Sequence, residues 1–267
     1  MELKDIERSI ITSYKKRIFG RFLKGIKEFK MISDGDKIAV CISGGKDSFL
    51  LAKCMQELKV HSRYKFDLVF IVMDPGYTSD NLKKIKENLD ILGIDAIIFQ
   101  SNIFSQIKNT DSICYLCARK RRGALYAKAK ELGCNKIALG HHFDDVIETI
   151  LLNIIYAGEY KTMMPKLKST NFSGMELIRP LYYVKENDII SWKNHCGLEF
   201  LDCACTITKK QVGKRKEIKN LINSLRLLDK NIDIHILRSS ENVNIDTVLG
   251  FKDNNGKHFF IEHYDEN

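Results

Sequence analysis

The sequence feature that most constrains the fold is the segment CISGGKDS at positions 41–48. The apolar, β-prone run at 37–42 that leads into it is typical of a buried parallel strand, and the run at 49–58 that follows it predicts a helix. A glycine turn at a helix N-terminus suits phosphate, because the first-turn N–H groups have no intrahelical partners and the helix dipole is positive there. Positions 43–48 are therefore predicted to bind a phosphate-bearing ligand.

The residue types within this loop favour that prediction over an ordinary glycine turn. Adjacent glycines let the backbone approach an anion closely, two serines add hydroxyl groups, and Lys46 adds a positive charge. Asp47 can cap the helix or help to hold Mg²⁺. The spacing differs from the Walker pattern, in which the glycines are separated and Ser or Thr follows the lysine. The residues that we expect to bind nucleotide phosphate are Ser43, Gly44, Gly45, Lys46, Asp47 and Ser48.

Composition limits the class of protein. A chain of 267 residues with 44% hydrophobic and 29% charged residues is typical of a soluble globular protein with one large domain and appendages. The net charge of +9 suits a polyanionic partner such as nucleic acid. The sequence has neither an apolar run of about 18 residues that would predict a membrane span nor the apolar core of a signal peptide. We therefore expect a cytoplasmic protein whose eight cysteines are reduced thiols or metal ligands.

Further β-prone runs alternate with helical patterns, which predicts an α/β fold with a doubly wound parallel sheet. After the first strand, these runs lie at 67–73, 95–99, 136–140 and 176–179. Asp74 follows the second strand at the carboxyl edge of the sheet, where such folds bind ligands. Asp74 is therefore a further candidate for contact with a nucleotide.

The chain is expected to have three parts. Positions 1–32 form a helical segment with one apolar stripe, whose basic surface is either simply solvated or in contact with nucleic acid phosphate. Positions 33–206 form the nucleotide-binding domain, and positions 207–267 form a basic helix and a small C-terminal extension. Asn-Gly at 255–256, between apolar runs, predicts a β-hairpin in that extension. The long connections at 101–113 and 157–175 have a length that is usual for functional or disordered loops.

Half of the cysteines fall in two close pairs. CYLC at 114–117 is followed by RKRR at 119–122, and CAC at 203–205 lies far downstream. These thiolates are compatible with a redox pair, with a four-ligand zinc site, or with an iron–sulfur cluster. A cluster held by three protein thiolates would keep one iron open for chemistry. The other cysteines, which we expect to be buried and structural, are Cys41, Cys54, Cys134 and Cys196.

A second group of polar residues, GHHFDD at 140–145, follows the fourth predicted strand and opens a helix. One interpretation is helix capping by an aspartate with two surface histidines. A metallohydrolase site is another, although further matching ligands are missing. The position at the carboxyl end of a strand, like that of the glycine loop, favours a role in nucleotide binding, with Gly140 and Asp145 as the candidates.

Taken together, these motifs resemble those of the tRNA 2-thiocytidine synthetase family of ATP pyrophosphatases. The resemblance rests on SGGKDS at 43–48, on CYLC at 114–117 with Arg119 and RRG at 121–123, and on KIALGHHFDD at 136–145. It continues through LN at 152–153, PKL at 165–167, RPL at 179–181 and Cys203, and it covers roughly positions 20–230.

This resemblance implies a Rossmann-type fold like that of the adenine nucleotide α-hydrolases, with ATP and Mg²⁺ at the glycine loop. It implies catalytic roles for Lys46, Asp47 and Asp145, and tRNA as the substrate, thiolated at cytidine 32 of the anticodon loop. It also implies a 4Fe–4S cluster on Cys114, Cys117 and Cys203. The sulfur would come from a cysteine desulfurase or sulfide, and the chain could form a homodimer. RKRR at 119–122 would hold the RNA backbone.

The chain departs from the family at one cysteine motif, and other functions are compatible with some of its motifs. The family has C-x-x-C near the third cluster ligand, whereas this chain has Cys203-Ala-Cys205, so Cys205 is an alternative ligand. The alternative functions are another tRNA thiolase, such as a 2-thiouridine enzyme, a lysidine synthetase, and a non-catalytic, metal-dependent tRNA-binding module. Lysidine chemistry needs no cysteine site, and a binding module needs no intact glycine loop, so the motifs count against both.

Overall fold

The computed structural model describes residues 1–101, 113–201 and 213–266. These residues divide into two compact units. The first unit comprises Met1–Val146 and Met163–Lys216, and the second comprises Ile147–Thr162 and Glu217–Asn267. The predicted three-part division at positions 32 and 206 stays a prediction.

A six-stranded sheet forms the centre of the first unit. Its strands are β1 Lys37–Ile42, β2 Asp67–Asp74, β3 Ala96–Gln100, β4 Lys136–Ala138, β5 Lys166–Lys168 and β6 Glu176–Ile178. The strand order is β3-β2-β1-β4-β6-β5, and all neighbours are parallel except β5, which pairs antiparallel with β6. The predicted doubly wound sheet is therefore confirmed. The edge strand β5 was not predicted, because three residues are too few to display an alternating pattern.

Helices flank this sheet. They are α1 Leu3–Ile11, α2 Gly20–Glu28, α3 Lys46–His61, α4 Ser79–Ile91, α5 Ile113–Glu131, α6 Phe143–Leu152 and α7 Glu186–His195. The apolar stripe predicted over 1–32 is buried at Ile6, Ile10, Ile18 and Phe22. The helix that carries it is interrupted after α1 and continues through a π-helical turn at Lys15–Phe19.

The strand order determines where a ligand can bind. Chain connections run from β1 outward to β2 and β3 on one side, and to β4 and β6 on the other. A crevice forms at such a reversal, beyond the carboxyl ends of the two central strands. The loops after β1 and β4 both border that crevice, because these strands are adjacent and parallel.

Two apolar clusters hold the helices against the sheet. The larger one includes Phe49 and Leu50 of α3, with Trp192 of α7. The smaller one lies on the other face and includes Ile71, Ile137 and Leu177. Four cysteines are buried as free thiols, as predicted: Cys41, Cys54, Cys134 and Cys196.

The second unit includes a π-helical turn at Asn153–Ala157, the later turns of α8 Gly213–Leu228, and the helix α9 Ile232–Ser239. The predicted hairpin is confirmed: β7 Gly250–Lys252 pairs antiparallel with β8 Lys257–Phe259. The basic helix predicted at 207–229 is seen as α8, and positions 207–212 lie outside the described residues. Among the described helices, none has the length and apolar character needed to cross a lipid bilayer.

Candidate functional site

The glycine loop is held in shape by its own serines. Gly44 has a φ of +89°, a conformation that glycine adopts without strain. The Ser48 hydroxyl accepts a hydrogen bond from the Ser43 amide at 3.1 Å and donates one to the Gly45 carbonyl at 2.8 Å. These contacts fold the loop tightly against the first turn of α3, so the N-terminus of the helix faces the crevice.

The loop after β4 lies directly against this helix start. A Cβ atom at Gly140 would lie 3.0 Å from the backbone nitrogen of Ser48 and 3.1 Å from the carbonyl carbon and oxygen of Asp47. Backbone atoms move aside less readily than side-chain ends, so a larger residue at this position would crowd the start of α3. The two loops that the sequence singled out are therefore in direct contact.

A cavity of about 450 Å³ lies between the two loops. Its wall includes Ser43, Asp47 and Ser48 from the first loop, and Gly140, His141 and Asp145 from the second. Three arginines complete its polar lining: Arg121 and Arg122 of α5, and Arg179, which directly follows β6. The volume falls within the range of pockets that hold small ligands.

Lys46 is paired with two carboxylates beside the cavity. Its ammonium group lies 3.2 Å from the Glu186 carboxylate and 3.3 Å from that of Asp47. Burial alone would lower the pKa of Lys46, but these two negative charges outweigh burial and raise it. The lysine is therefore held as a cation, as a phosphate ligand requires.

Asp47 has one oxygen without a hydrogen bond. Its Oδ2 accepts a hydrogen bond from Lys46, whereas its buried Oδ1 lies 3.3 Å from the Lys46 ammonium but accepts no hydrogen bond among the described residues. Burial raises the pKa of this carboxyl group, and the nearby His142 and Lys46 offset part of that effect. A carboxylate oxygen in the cavity wall that accepts no hydrogen bond is a candidate ligand atom for a bound cation.

Asp145 contacts His142, whose ring lies between the carboxylates of the two loops, and Arg215 of the basic helix α8. Its carboxylate accepts a hydrogen bond from the His142 amide at 3.0 Å and forms an ion pair with Arg215 of α8. Burial would raise its pKa, but the charges of His142 and Arg215 outweigh burial and lower it. The imidazole Nε2 of His142 lies 3.5 Å from Asp145 and 3.8 Å from Asp47, so it lies between the two carboxylates.

His141 is a neutral side chain in the cavity wall. Burial lowers its pKa to about 4, and its Nδ1 has no hydrogen-bond partner among the described residues. The alternative interpretation of two surface histidines is wrong for His142, which is buried, whereas His141 is partly exposed where it lines the cavity.

Asp74 lies at the end of β2 but does not line the cavity. Its Oδ1 accepts hydrogen bonds from the backbone amides of Gly76 and Tyr77, at 2.8 and 2.7 Å. The Tyr77 hydroxyl in turn donates to the Ser43 carbonyl at 3.3 Å. Asp74 thus shapes a turn that contacts the glycine loop, and its contact with adenosine stays a prediction.

The predicted cluster ligands lie only partly within the described residues. Cys114 and Cys117 fall in the first turns of α5, described by their backbone, and Cys203 and Cys205 lie outside the described residues. No group of three potential metal-binding side chains occurs within 1–101, 113–201 and 213–266. The cysteine ligand set therefore stays a prediction.

Two residues of the site had no functional role in the sequence analysis. Glu186 opens α7 and pairs with Lys46, although it lies far from the glycine loop in sequence. Arg179 was noted as part of an RPL motif without a role. An arginine directly after an apolar strand and before a proline was the available signal, since polar residues at strand carboxyl ends border the ligand site.

Comparison with known proteins places these features in a family. The sequence model of the family described as PP-loop domain matches residues 15–223. A tRNA-cytidine(32) 2-sulfurtransferase from Pelobacter propionicus is 36% identical over 224 residues, which cover 82% of this chain and 83% of the relative. Enzymes of the same name from Aliivibrio salmonicida and Geobacter metallireducens are 38% and 35% identical, covering 84% and 82% of this chain and 73% and 87% of theirs.

A solved structure has the same fold. It is the U34-tRNA thiolase NcsA from Methanococcus maripaludis with its 4Fe–4S cluster, at a TM-score of 0.66 and 22% identity. The match covers 83% of this chain and 76% of that one. At this level of identity, the likeness supports the fold alone.

Proposed function

The chain belongs to the PP-loop family of ATP-binding proteins, with the tRNA-cytidine(32) 2-sulfurtransferases among its relatives, and on this basis we propose that it catalyses ATP-dependent thiolation of tRNA. The base modified is cytidine 32 of the anticodon loop, and the product is 2-thiocytidine. One observation carries the proposal: the loops after β1 and β4 enclose a single cavity that offers a helix N-terminus, a carboxylate oxygen and three arginines.

The reaction has two bond exchanges. The 2-carbonyl oxygen of cytidine bonds to the α-phosphorus of ATP, and the bond between the α- and β-phosphates breaks, so pyrophosphate leaves with the electron pair. A sulfur nucleophile then bonds to carbon 2, and the carbon–oxygen bond breaks to release AMP. The carbonyl oxygen thus leaves on AMP, which is a far better leaving group than oxide.

This chain stabilises the departing pyrophosphate. The adjacent glycines and the first turn of α3 present amide N–H groups, Ser43 adds a hydroxyl group, and Lys46 adds a full positive charge. Charge that is fixed in place before the reaction lowers the barrier without reorganisation at the moment of transfer. The neutral His141 adds no charge to the cavity, so the arginines and Lys46 supply the positive potential.

Mg²⁺ fits beside the glycine loop. The Oδ1 of Asp47, which accepts no hydrogen bond among the described residues, and the carboxylate of Asp145 flank one imidazole nitrogen, and both residues line the cavity. Mg²⁺ is usually bound by one or two carboxylates together with substrate phosphates and water, so two side chains suffice. When bound, the ion would neutralise phosphate charge during transfer.

A 4Fe–4S cluster is proposed on Cys114, Cys117 and Cys203. Thiolates are the usual ligands of such clusters, and CYLC at 114–117 lies at the start of the helix that carries Arg121 and Arg122 into the cavity wall. When bound through three thiolates, a cluster supplies an iron with an open position for sulfide.

The tRNA is proposed to lie along the start of α5. Arg119 and Lys120 are exposed there, and Arg121 and Arg122 line the cavity. Arginine and lysine contacts to phosphate position RNA without reading its sequence, and a loop base can be turned into a pocket at a cost of a few kcal/mol. The cytoplasm is the compartment that supplies tRNA, ATP and a sulfur donor, either a cysteine desulfurase or sulfide. A homodimer is proposed from the family resemblance.

The test is a thiolation assay with anaerobically purified protein. Unmodified tRNA is incubated with Mg²⁺, ATP and sulfide, then digested, and its nucleosides are identified by mass spectrometry. We expect 2-thiocytidine at position 32, with AMP and pyrophosphate formed only when tRNA is present. Formation of 2-thiouridine would instead assign the chain to another base, and tRNA binding without product would leave a binding module.

The ligand set is tested with matched serine variants. Cys203→Ser is expected to lose iron and labile sulfide together with thiolation, whereas Cys205→Ser retains both. The reverse result would assign the third ligand to Cys205. One zinc per chain and no labile sulfide in the unmodified protein would contradict the cluster.

A further inference from the structure

Arg179 is a deeply buried arginine of the first unit. Its side chain lines the cavity, yet the residue is only 4% exposed. Its Nε has no hydrogen-bond partner among the described residues, and the nearby Asp145 carboxylate forms its ion pair with Arg215 instead. A buried cation with an unsatisfied N–H group is expensive to maintain, so its presence needs a reason.

The position of Arg179 is fixed by backbone atoms. Its amide donates to the Pro165 carbonyl at 2.9 Å, and its Nη1 donates to the Met164 carbonyl. Neither partner carries a charge, so these contacts orient the guanidinium without neutralising it. Burial and the nearby Arg122 lower the pKa of Arg179 to about 10, which still leaves the group protonated at neutral pH.

The sheet places Arg179 two strands away from the glycine loop. It directly follows β6, which pairs with β4, and β4 pairs with β1. Neighbouring strands are about 5 Å apart, so the two strand ends are separated by roughly 10 Å. A phosphate chain held at the glycine loop by one end would extend across β4 toward this arginine.

We propose that Arg179 binds the α-phosphate of ATP and retains it as that phosphate moves from pyrophosphate to the cytidine oxygen. The inference rests on the proposed function and adds to it that different residues bind the leaving and the transferred parts of the triphosphate. The glycine loop and Lys46 bind the part that leaves, and Arg179 binds the part that is transferred. An arginine fork suits this task, because two N–H groups can contact two phosphate oxygens at once.

The charges balance throughout the transfer. The bond from the cytidine oxygen to the α-phosphorus forms as the bond to the β-phosphate oxygen breaks, and the electron pair leaves with pyrophosphate. The non-bridging oxygens of the α-phosphate stay in contact with Arg179 before and after this exchange. No proton is required from the arginine, so a group that is always charged is well suited.

The experiment compares two probes on three proteins. Affinities for α,β-methylene-ATP, which cannot be cleaved at the reacting bond, and for pyrophosphate are measured by calorimetry with Mg²⁺. The proteins are the unmodified chain, Arg179→Gln, and Arg63→Gln as a matched control at an exposed arginine. We expect Arg179→Gln to bind the ATP analogue about 10-fold or more weakly, the loss of one charge-assisted hydrogen bond, while its pyrophosphate affinity changes less than about 2-fold.

Each other outcome has a distinct meaning. Failure of the unmodified chain to bind the analogue would contradict the proposed ATP site itself. Unchanged analogue affinity in Arg179→Gln, or an equal loss for both probes, would overturn the role of Arg179 alone. If Arg179→Gln does not fold, Arg179→Lys decides: it keeps the charge but lacks the fork, and binding of the analogue as tight as in the unmodified chain would contradict the inference.

Discussion

The loops after β1 and β4 border the same cavity but contribute to it in different ways. The first loop uses backbone: its conformation depends on a left-handed Gly44 and on serines that bond within the loop. The second loop uses side chains: His141 and Asp145 line the cavity, and the Asp145 carboxylate accepts a hydrogen bond from a backbone amide of the loop. Backbone amides suit any phosphate, whereas imidazoles and carboxylates can discriminate by charge and hydrogen bonding.

The difference shows how one site can combine binding with chemistry. A helix N-terminus contributes partial charges that are fixed by the fold and do not titrate. The second loop contributes groups whose charge depends on their surroundings, as the neutral His141 and the ionised Asp145 illustrate. Contact between Gly140 and α3 makes the two loops a single unit. The predictions below test this division.

Lys46→Ala should have the largest effect. The variant removes the one full positive charge of the first loop and leaves Asp47 and Glu186 without their shared partner. We expect the rate of tRNA thiolation to fall about 1,000-fold, the upper range for loss of one electrostatic contact to a transition state. Lys83→Ala is the matched control. The Lys83 side chain is 75% exposed, and its ammonium group lies as far as 4.0 Å from the Glu87 carboxylate. Equal activity in both variants would remove Lys46 from the mechanism.

Gly140→Ala tests whether the two loops must touch. The new methyl group would press on the backbone of Asp47 and Ser48, so the second loop must move away from α3. The backbone must give by a few tenths of an ångström, less than the displacement of about 1 Å that costs on the order of 100-fold in rate, so we expect thiolation to fall by about 10-fold. Gly123→Ala is the control, because Gly123 lies within α5 with nothing within 4 Å of an added Cβ. Unimpaired thiolation by Gly140→Ala would mean that the loops act independently.

His141→Gln tests the neutral character of the second loop. The pKa of His141 is about 4 in the folded chain, against an ordinary value of 6.5, so the unfolded chain binds the proton more readily. Stability should therefore be fully present above pH 6.5 and fall as the pH drops toward 4, by about 1–2 kcal/mol between pH 7 and 5 after allowance for partial exposure. The charged and titratable groups around this ring are Asp145, Arg179, Arg215 and His142.

Denaturant unfolding at pH 7 and pH 5 measures this effect. The loss of stability at pH 5 should be smaller in His141→Gln than in the unmodified chain. The exposed His61 offers a control, and His61→Gln should leave most of the pH dependence unchanged. A pH dependence that is identical in His141→Gln and the unmodified chain would show that this ring is not the buried neutral base.

Arg215→Ala should have the smallest effect. Its side chain is 53% exposed, and exposed ion pairs contribute about 1 kcal/mol or less. We expect thiolation to fall only a few-fold, and more strongly at low salt, where charge interactions are less screened. Lys214→Ala, next to it on α8, is the comparison. A loss as large as that of Lys46→Ala would make Arg215 part of the catalytic machinery.

Much of this arrangement was predictable from sequence, because each loop is one continuous segment with its own flanking strand and helix. The strand–turn–helix pattern around SGGKDS identified the first loop, and GHHFDD after an apolar run identified the second. The family resemblance read from these motifs is confirmed by relatives that are 35–38% identical. Contact between the loops follows from the adjacency of β1 and β4, which a parallel sheet made plausible.

The contacts between distant segments were not predictable. Nothing in the local pattern pairs Lys46 with Glu186, which lies 140 positions away, or Asp145 with Arg215. The buried state of Arg179 is also a tertiary property, since an arginine is usually exposed and its burial depends on the chain around it. The local sequence pattern is enough to locate both loops, whereas the residues that pair with them depend on the tertiary fold.

The central claim is that both loops bind one ATP molecule. Hydrogen–deuterium exchange with and without α,β-methylene-ATP and Mg²⁺ tests it most directly, because it reports each loop separately without any substitution. We predict that the analogue slows exchange in peptides that cover 43–48 and in peptides that cover 140–145. Protection of the glycine loop alone, or of neither loop, would contradict the claim.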